Sequence, residues 1–213
     1  MGDAIEQVKT KIVKELLSEL LLRYPRLRNK VSYNVVAYRD IGDNNPFELM
    51  NSSGEFTKDI EVVKSFVLGL RDTGGSDYPE DVAGGLMEIA KLKWNPRSTN
   101  ILFHVLDDPG HGKDFNDTYL GTSDRFFTTP PPGRRDPKVE IMEALKALRN
   151  KCNVQKIYML TIERKNRVPW SSAKTVSAIS AISAQLSSDG KNSMVEEVSL
   201  GCDASRLIRV IVG

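Results

Sequence analysis

Apolar positions along the chain follow two periods, one typical of helices and one typical of buried strands. Near the start, apolar residues recur at three- and four-residue steps from Ile5 to Leu20, which predicts an amphipathic helix that Pro25 ends. Further helices are predicted at residues 60–70, from Pro79 to about Leu92, at 138–152 and at 171–186. Strands are predicted at residues 32–40, 99–106, 156–162 and 195–200, with a small antiparallel element at 47–50 and 55–57. The tail from Ala204 to Gly213 is compatible with either a helix or a strand.

Strands that alternate with helices of this length predict an α/β fold, a doubly wound and mostly parallel sheet with helices on both faces. In such sheets, ligands bind beyond the carboxyl ends of the strands, where the strand order reverses. The loops after Tyr38, before the helix at Pro79 and after Leu106 are therefore expected to share one edge of the sheet. Binding or chemistry is expected at this edge.

The composition narrows the class of protein. Lys and Arg total 30 against 28 for Asp and Glu, a net charge of +2, so nucleic-acid binding is not expected. No apolar run approaches the roughly 20 residues of a membrane-spanning helix, and the charged residues that follow Met1 do not resemble a secretory leader. Only Cys152 and Cys202 are present, which argues against a disulfide scaffold. The sequence as written therefore predicts a cytoplasmic protein.

Carboxylates are concentrated in the loops that the predicted fold brings to this edge. They are Asp40, Asp43, Asp72, Asp77, Glu80, Asp81, Asp107 and Asp108. Carboxylate and hydroxyl oxygens are the ligands that Mg²⁺ prefers, and Ser76 with Asp77 and the pair Asp107 and Asp108 would supply them. The alternative is that these loop aspartates cap helices and form turns.

Two histidines and a glycine pair also stand out. His104 and His111 flank Asp107 and could serve as metal ligands or as a catalytic base. His104 lies within a predicted strand, however, where a histidine more often packs in the core or on a sheet face. The pair Gly84-Gly85 lies within a predicted helix, where each glycine costs up to about 1 kcal/mol relative to alanine. Close packing of this helix against the sheet would compensate for that cost.

Several sequence features together resemble one branch of the von Willebrand factor type A domain, the branch found with alpha-kinases and in hemicentin-like extracellular proteins. They are "VVAYRDIGD", "FT" with Asp59, "TGGSDYPEDVAGGL", Trp94 and "FHVLDDPGHG", and the resemblance extends from about residue 1 to 165. It implies one domain over residues 1–213, a sheet of six main strands, and a metal-ion-dependent adhesion site whose Mg²⁺ takes an acidic group from a partner protein. The family's third-loop aspartate falls on Asp107, and its second-loop threonine falls on Ser76 or Asp77. Asp40, Asp108 and His111 are expected to contact the partner.

The resemblance is incomplete at the start of the chain. The family's first strand and its Asp-x-Ser/Thr-Gly-Ser-Met loop are absent, and Met1 resembles the last residue of that loop. A central strand contributes on the order of 10 kcal/mol, as much as the stability of a whole domain. Three explanations are open: the sequence begins at an internal Met of a longer protein, the two flanking strands pair with each other, or the tail "RLIRVIVG" replaces the strand. In each case Mg²⁺ is expected to bind weakly or not at all.

The sequence therefore predicts an adhesion-type protein-interaction module with an incomplete metal site, and not an enzyme. One alternative is a targeting fragment of a larger alpha-kinase or of an extracellular scaffold protein, which would place it outside the cell in the second case. The other alternative is a metal-dependent hydrolase that uses Asp107, Asp108, His104 and His111.

Overall fold

The computed structural model describes residues 21–27, 29–71, 77–117, 124–162, 170–187 and 192–199. Residues 21–23 are helical, Pro25–Leu27 form a 3₁₀ turn, and the rest of the predicted first helix lies outside the described residues, as does the tail. The described strands are β1 (Val36–Tyr38), β2 (Phe47–Leu49), β3 (Asn100–Leu106), β4 (Val154–Thr161) and β5 (Val195–Ser199). The described helices are α1 (Ile60–Gly69), α2 (Val82–Ala90), α3 (Pro137–Asn150) and α4 (Trp170–Gln185).

Strands β3, β4 and β5 form a parallel sheet in that order, with His104 opposite Met159 and Ile157 opposite Val195. Residues 157–161 of β4 are buried on both faces, as is typical of a middle strand in a parallel sheet. The apolar centre of residues 99–106 is typical of a strand that is buried on both faces. In β3, however, buried and half-buried positions alternate, so only one face is fully buried.

A second sheet is formed by the antiparallel pair β1 and β2, with Ala37 opposite Glu48. The strand predicted over residues 32–40 is shorter than expected, although Tyr33 makes an isolated antiparallel bridge to Thr57. Helix α1 packs its buried Val63 and Val67 on this part of the chain. The described residues thus form a mixed α/β structure with a parallel sheet, which is consistent with a Rossmann-like arrangement.

The main core lies between the parallel sheet and helices α2, α3 and α4. Its side chains with almost no exposure include Leu86 of α2, Leu145 and Leu148 of α3, and Met159 of β4. Burying each such side chain contributes about 1.5–3 kcal/mol. The loops of the candidate site are therefore attached to a well-packed support. Within the described ranges, no helix is both long and apolar enough to cross a membrane.

In the described chain, side chains rather than a backbone ladder connect the two sheets. The Tyr38 hydroxyl donates to the carbonyl of Val105 at 3.2 Å and lies 2.8 Å from Nε2 of His104. His104 is thus a packed sheet-face residue, as expected for a histidine within a strand. Strands β1 and β3 are not hydrogen-bonded neighbours within the described residues, so the pairing of two flanking strands is not observed there.

Aspartates begin three of the described helices, and one of them, Asp81, belongs to the loop carboxylates for which the sequence allows a capping role. The Asp59 carboxylate accepts from the N–H of Glu61, that of Asp81 from Gly84, and that of Asp136 from Lys138. The prediction that Pro79 lies in the first turn of α2 is wrong, because Asp81 is the cap and the helix begins at Val82. The backbone N–H of Glu80 is instead bonded to the carbonyl of Pro109 at 2.8 Å.

The glycine pair of α2 makes the close approach that the sequence predicts. A β-carbon on Gly84 would lie 2.6 Å from Phe47 Cζ, and one on Gly85 would lie 2.9 Å from the ring of Tyr38. Real β-carbons essentially never come this close to other atoms. Helix α2 can therefore pack directly on strands β1 and β2 only because these two positions have no side chain.

Candidate functional site

The loops that follow β1, precede α2 and follow β3 meet, as the sequence predicts, although β1 and β3 belong to different described sheets. Nε2 of His111 lies 2.8 Å from Oδ1 of Asp40, so the loops after β1 and β3 are in direct contact. Arg125 connects the loop before α2, which contains Asp77, to the loop after β1. Its Nη2 lies 3.1 Å from Asp40 Oδ2, and its Nε lies 3.3 Å from Asp77 Oδ2.

His111 lies between two buried carboxylates. Its Nδ1 is 2.8 Å from Oδ1 of Asp124, which also accepts from the backbone N–H of Phe126, and its Nε2 contacts Asp40. Burial on its own lowers the pKa of His111, but the hydrogen bonds to Asp124 and Asp40 outweigh it and raise the pKa to about 9. Near neutral pH the ring therefore carries both protons and a positive charge that compensates the carboxylates.

Asp77 is nearly inaccessible, with its side chain 1% exposed. Its Oδ2 accepts from the backbone N–H of Arg125 at 2.9 Å and from the guanidinium. Its Oδ1 is buried and has no hydrogen-bond donor in the described part of the chain. Burial raises the pKa of Asp77. The hydrogen bond from the backbone N–H of Arg125 lowers this pKa, but the nearby Asp40 carboxylate raises it further, and the net change is an increase. The site thus contains one buried oxygen whose lone pairs are unused.

Asp40, Asp77 and His111 each present one ligand atom within 4.8 Å of the other two, and this cluster could hold a metal ion. It does not fit Mg²⁺, the ion that the resemblance implies, because one ligand is an imidazole nitrogen and Mg²⁺ prefers oxygen atoms. Asp107 is not part of this three-residue group among the described residues, and Ser76 lies outside them. The metal-ligand roles of Asp107 and Ser76 therefore stay predictions, while Asp77 belongs to the Asp40 cluster.

A second acidic group includes Glu80, which is 6% exposed. Burial is the largest of the effects that raise the pKa of Glu80 to about 8, and the negative charges of Asp107 and Asp108 are the next largest. Glu80 is therefore mostly protonated at pH 7, which reduces the negative charge beside the end of β3. In the structure, Asp107 and Asp108 thus act electrostatically on Glu80.

The three residues predicted to contact a partner are all buried: Asp40 is 1% exposed, Asp108 6% and His111 3%. Direct partner contact by these side chains stays a prediction. Exposed groups of the same loops include the side chain of Arg125, at 46%, and Tyr78, at 41%. Sequence reasoning missed Arg125 and Asp124, because both lie in a long irregular loop without any periodic pattern.

The same loop is tied down by a group that we call the Arg134 ion triad, formed by Arg134, Asp81 and Glu140. Nη1 and Nη2 of Arg134 lie 2.8 and 3.0 Å from the two oxygens of Asp81, and its Nη2 lies 2.7 Å from Oε2 of Glu140. Asp81 also caps α2, and Glu140 belongs to the first turn of α3. The triad therefore fixes the loop to two helices at once.

The ligand set of the predicted hydrolase is not assembled in the described residues. His104 is bonded to Tyr38 within the sheet, whereas His111 is bonded to Asp40 and Asp124. Burial lowers the pKa of His104 to about 4, so this ring is neutral near pH 7. The two histidines thus have different hydrogen-bond partners.

A comparison with known proteins found a relative that matches part of this chain. No family model matches the chain. The chain is 35% identical over 128 residues to "Alpha-protein kinase vwkA" of Dictyostelium discoideum, a match that covers 57% of this chain and 19% of the kinase. The chain thus matches about a fifth of the length of that relative. It is similar to one part of a protein named as an alpha-protein kinase.

Proposed function

We propose that this chain is a von Willebrand factor type A-like module of doubly wound fold that binds another protein and does not catalyse a reaction. The observation that carries the proposal is the exposed side chain of Arg125, which stands over buried carboxylates from two different loops. The local likeness to an alpha-protein kinase supports a relationship to that branch of the family. The binding surface is the carboxyl edge, where Arg125 and Tyr78 are exposed.

The state of the titratable groups supports binding rather than catalysis. His111 is engaged at both ring nitrogens by carboxylates, and its pKa is raised to about 9, so it has no lone pair with which to accept a proton. The hydrogen bonds of His111 and Asp77 hold neighbouring loops together. A guanidinium recognises carboxylates well, so the partner group that suits Arg125 is an acidic side chain.

The module is proposed to act within, or alongside, a larger protein. The match covers only 19% of the alpha-protein kinase, so a targeting role for this part is the role that the similarity favours. The compartment in which it acts stays a prediction.

Photo-crosslinking tests the proposal. A benzophenone amino acid is placed at Tyr78 in the edge surface, or at Leu68 on the exposed side of α1 as a matched control, since the two are 41% and 54% exposed. We expect a discrete crosslinked protein from the Tyr78 position that is lost with Arg125→Glu and is absent from the Leu68 position. Equal crosslinking at both positions would contradict the proposed surface. Hydrolysis of phosphate or peptide esters that is lost in Asp107→Ala would contradict a non-enzymatic role.

A further inference from the structure

The Asp40 cluster has the features of a site for a nitrogen-accepting metal ion, which is different from the Mg²⁺ site implied at Asp107. Its ligand atoms come from the loops after β1, before α2 and after β3, and lie within 4.8 Å of one another. Zinc-type ions hold carboxylate oxygen and imidazole nitrogen at about 2.0–2.2 Å, so binding would draw these ligand atoms closer together. One imidazole with two carboxylates is a ligand set for such ions.

The buried oxygen of Asp77 is the independent feature that indicates a ligand. The Asp77 side chain is 1% exposed, and its Oδ1 has no donor in the described part of the structure. Leaving a buried polar atom without a partner costs about 1–3 kcal/mol, so such atoms are rare unless another group uses them. A cation bound at Oδ1 would remove that cost.

The contacts around the cluster show what an ion would displace. Arg125 holds the Oδ2 atoms of Asp40 and Asp77. Oδ1 of Asp40 accepts from the backbone N–H of Ile41 and from Nε2 of His111, so an ion bound there would replace the Nε2 proton of His111. Asp124 holds Nδ1 of His111 and accepts two backbone N–H groups, from Gly112 and Phe126. A carboxylate on the far nitrogen of a metal-binding imidazole is the usual arrangement that orients the ring.

The charge balance also admits a further cation. Three carboxylates, Asp40, Asp77 and Asp124, face two cationic groups, His111 and Arg125. We propose that Asp40 Oδ1, Asp77 Oδ1 and His111 Nε2 bind one divalent transition-metal ion of the zinc type. On binding, the Nε2 proton of His111 passes to solvent, and the lone pair that held it binds the ion. Arg125 and Asp124 stay in place as positioning residues for the ligands.

Cobalt titration of the full 213-residue chain tests this site, because Co²⁺ reports a nitrogen- and oxygen-containing ligand set through its visible absorption. We expect one Co²⁺ per chain, displaced by Zn²⁺ and not by Mg²⁺. His111→Gln and Asp77→Asn should each weaken binding by more than about tenfold, and Asp124→Asn should weaken it by about tenfold. Asp77→Asn retains an oxygen to accept from Arg125, so circular dichroism should show an unchanged fold.

Two further variants make the result specific. Asp114→Asn removes a half-exposed surface carboxylate and should leave the Co²⁺ affinity unchanged. Asp107→Asn removes the carboxylate that the resemblance implies as a Mg²⁺ ligand, and it should also leave the Co²⁺ affinity unchanged. The inference is overturned if no stoichiometric absorption band forms, if binding is unchanged in His111→Gln and Asp77→Asn, or if Asp107→Asn abolishes it. These outcomes concern the ion alone and leave the crosslinking test of protein binding independent.

Discussion

Replacing Gly84 with alanine tests how closely helix α2 must lie against the β1–β2 sheet. The new β-carbon would lie 2.6 Å from Phe47 Cζ and 2.6 Å from Cγ of Asp81, and it would be in contact with the Oδ2 oxygen of Asp81. Neither neighbour can move without a loss. Phe47 belongs to β2, and Asp81 is both the cap of α2 and a member of the Arg134 ion triad.

The expected size of the effect follows from opposing contributions. Overpacking in a closely packed region costs about 1–3 kcal/mol, and displacement of the Asp81 cap costs about 1 kcal/mol more. The better helix propensity of alanine returns up to about 1 kcal/mol. We expect a net loss of about 1–3 kcal/mol, which in a protein of this length lowers the Tm by roughly 2–12 °C.

Gly69→Ala is the matched control, because Gly69 is the last residue of α1 and a β-carbon there would meet no atom within 4 Å. This variant should keep or slightly raise the Tm, since it gains helix propensity without a clash. Urea denaturation and thermal unfolding of both variants provide the measurement. If Gly84→Ala unfolds at the same temperature as Gly69→Ala, the inferred close contact of α2 with β2 is wrong.

Four other substitutions, one of them a control, test the polar contacts. Arg134→Met should lower the free energy of unfolding by about 2–4 kcal/mol, because it leaves two buried carboxylates without their cation. In contrast, Arg135→Met removes an exposed ion pair and should cost less than about 1 kcal/mol. His104 is neutral in the folded protein, with a pKa of about 4, so its contribution is complete above about pH 6.5 and is lost as the pH falls toward 4. Glu80, whose pKa is raised to about 8, changes the stability in the opposite direction over part of this pH range. The measurement is therefore the difference in the free energy of unfolding between wild type and His104→Gln, followed as a function of pH. That difference should reach about 3 kcal/mol, and parallel curves would refute the assignment. Tyr38→Phe should cost about 1–2 kcal/mol, because it removes the hydroxyl that connects the two sheets, and an unchanged Tm would contradict this role.

Local sequence patterns predicted most of the described elements. The apolar run at residues 99–106 predicted the bounds of β3 to within one residue, and the helical spacing at residues 138–152 predicted the bounds of α3 to within two residues. These elements follow from periodicity, which depends on neighbours a few positions away. The glycine pair was also informative, because two adjacent glycines inside a helix require a close neighbour to offset their cost.

The composition of the candidate site could be predicted only in part. The sequence placed Asp40, Asp77 and His111 at one edge, since the ends of parallel strands and their loops share that edge. It assigned Asp77 to the same ion as Asp107, which stays a prediction, and it did not anticipate that Asp77 lies in a group with Asp40 and His111. It also assigned partner contacts to side chains that are buried.

The sequence by itself determined the alternation of strands and helices and the edge at which their loops meet. The tertiary structure decided which charges pair, because His111 and Arg125 bind Asp40 across 71 and 85 positions of the chain. Such contacts leave no periodic signal. They arise because a carboxylate that is buried by folding must find a cation or a hydrogen-bond donor, and the path of the loops decides which one is within reach.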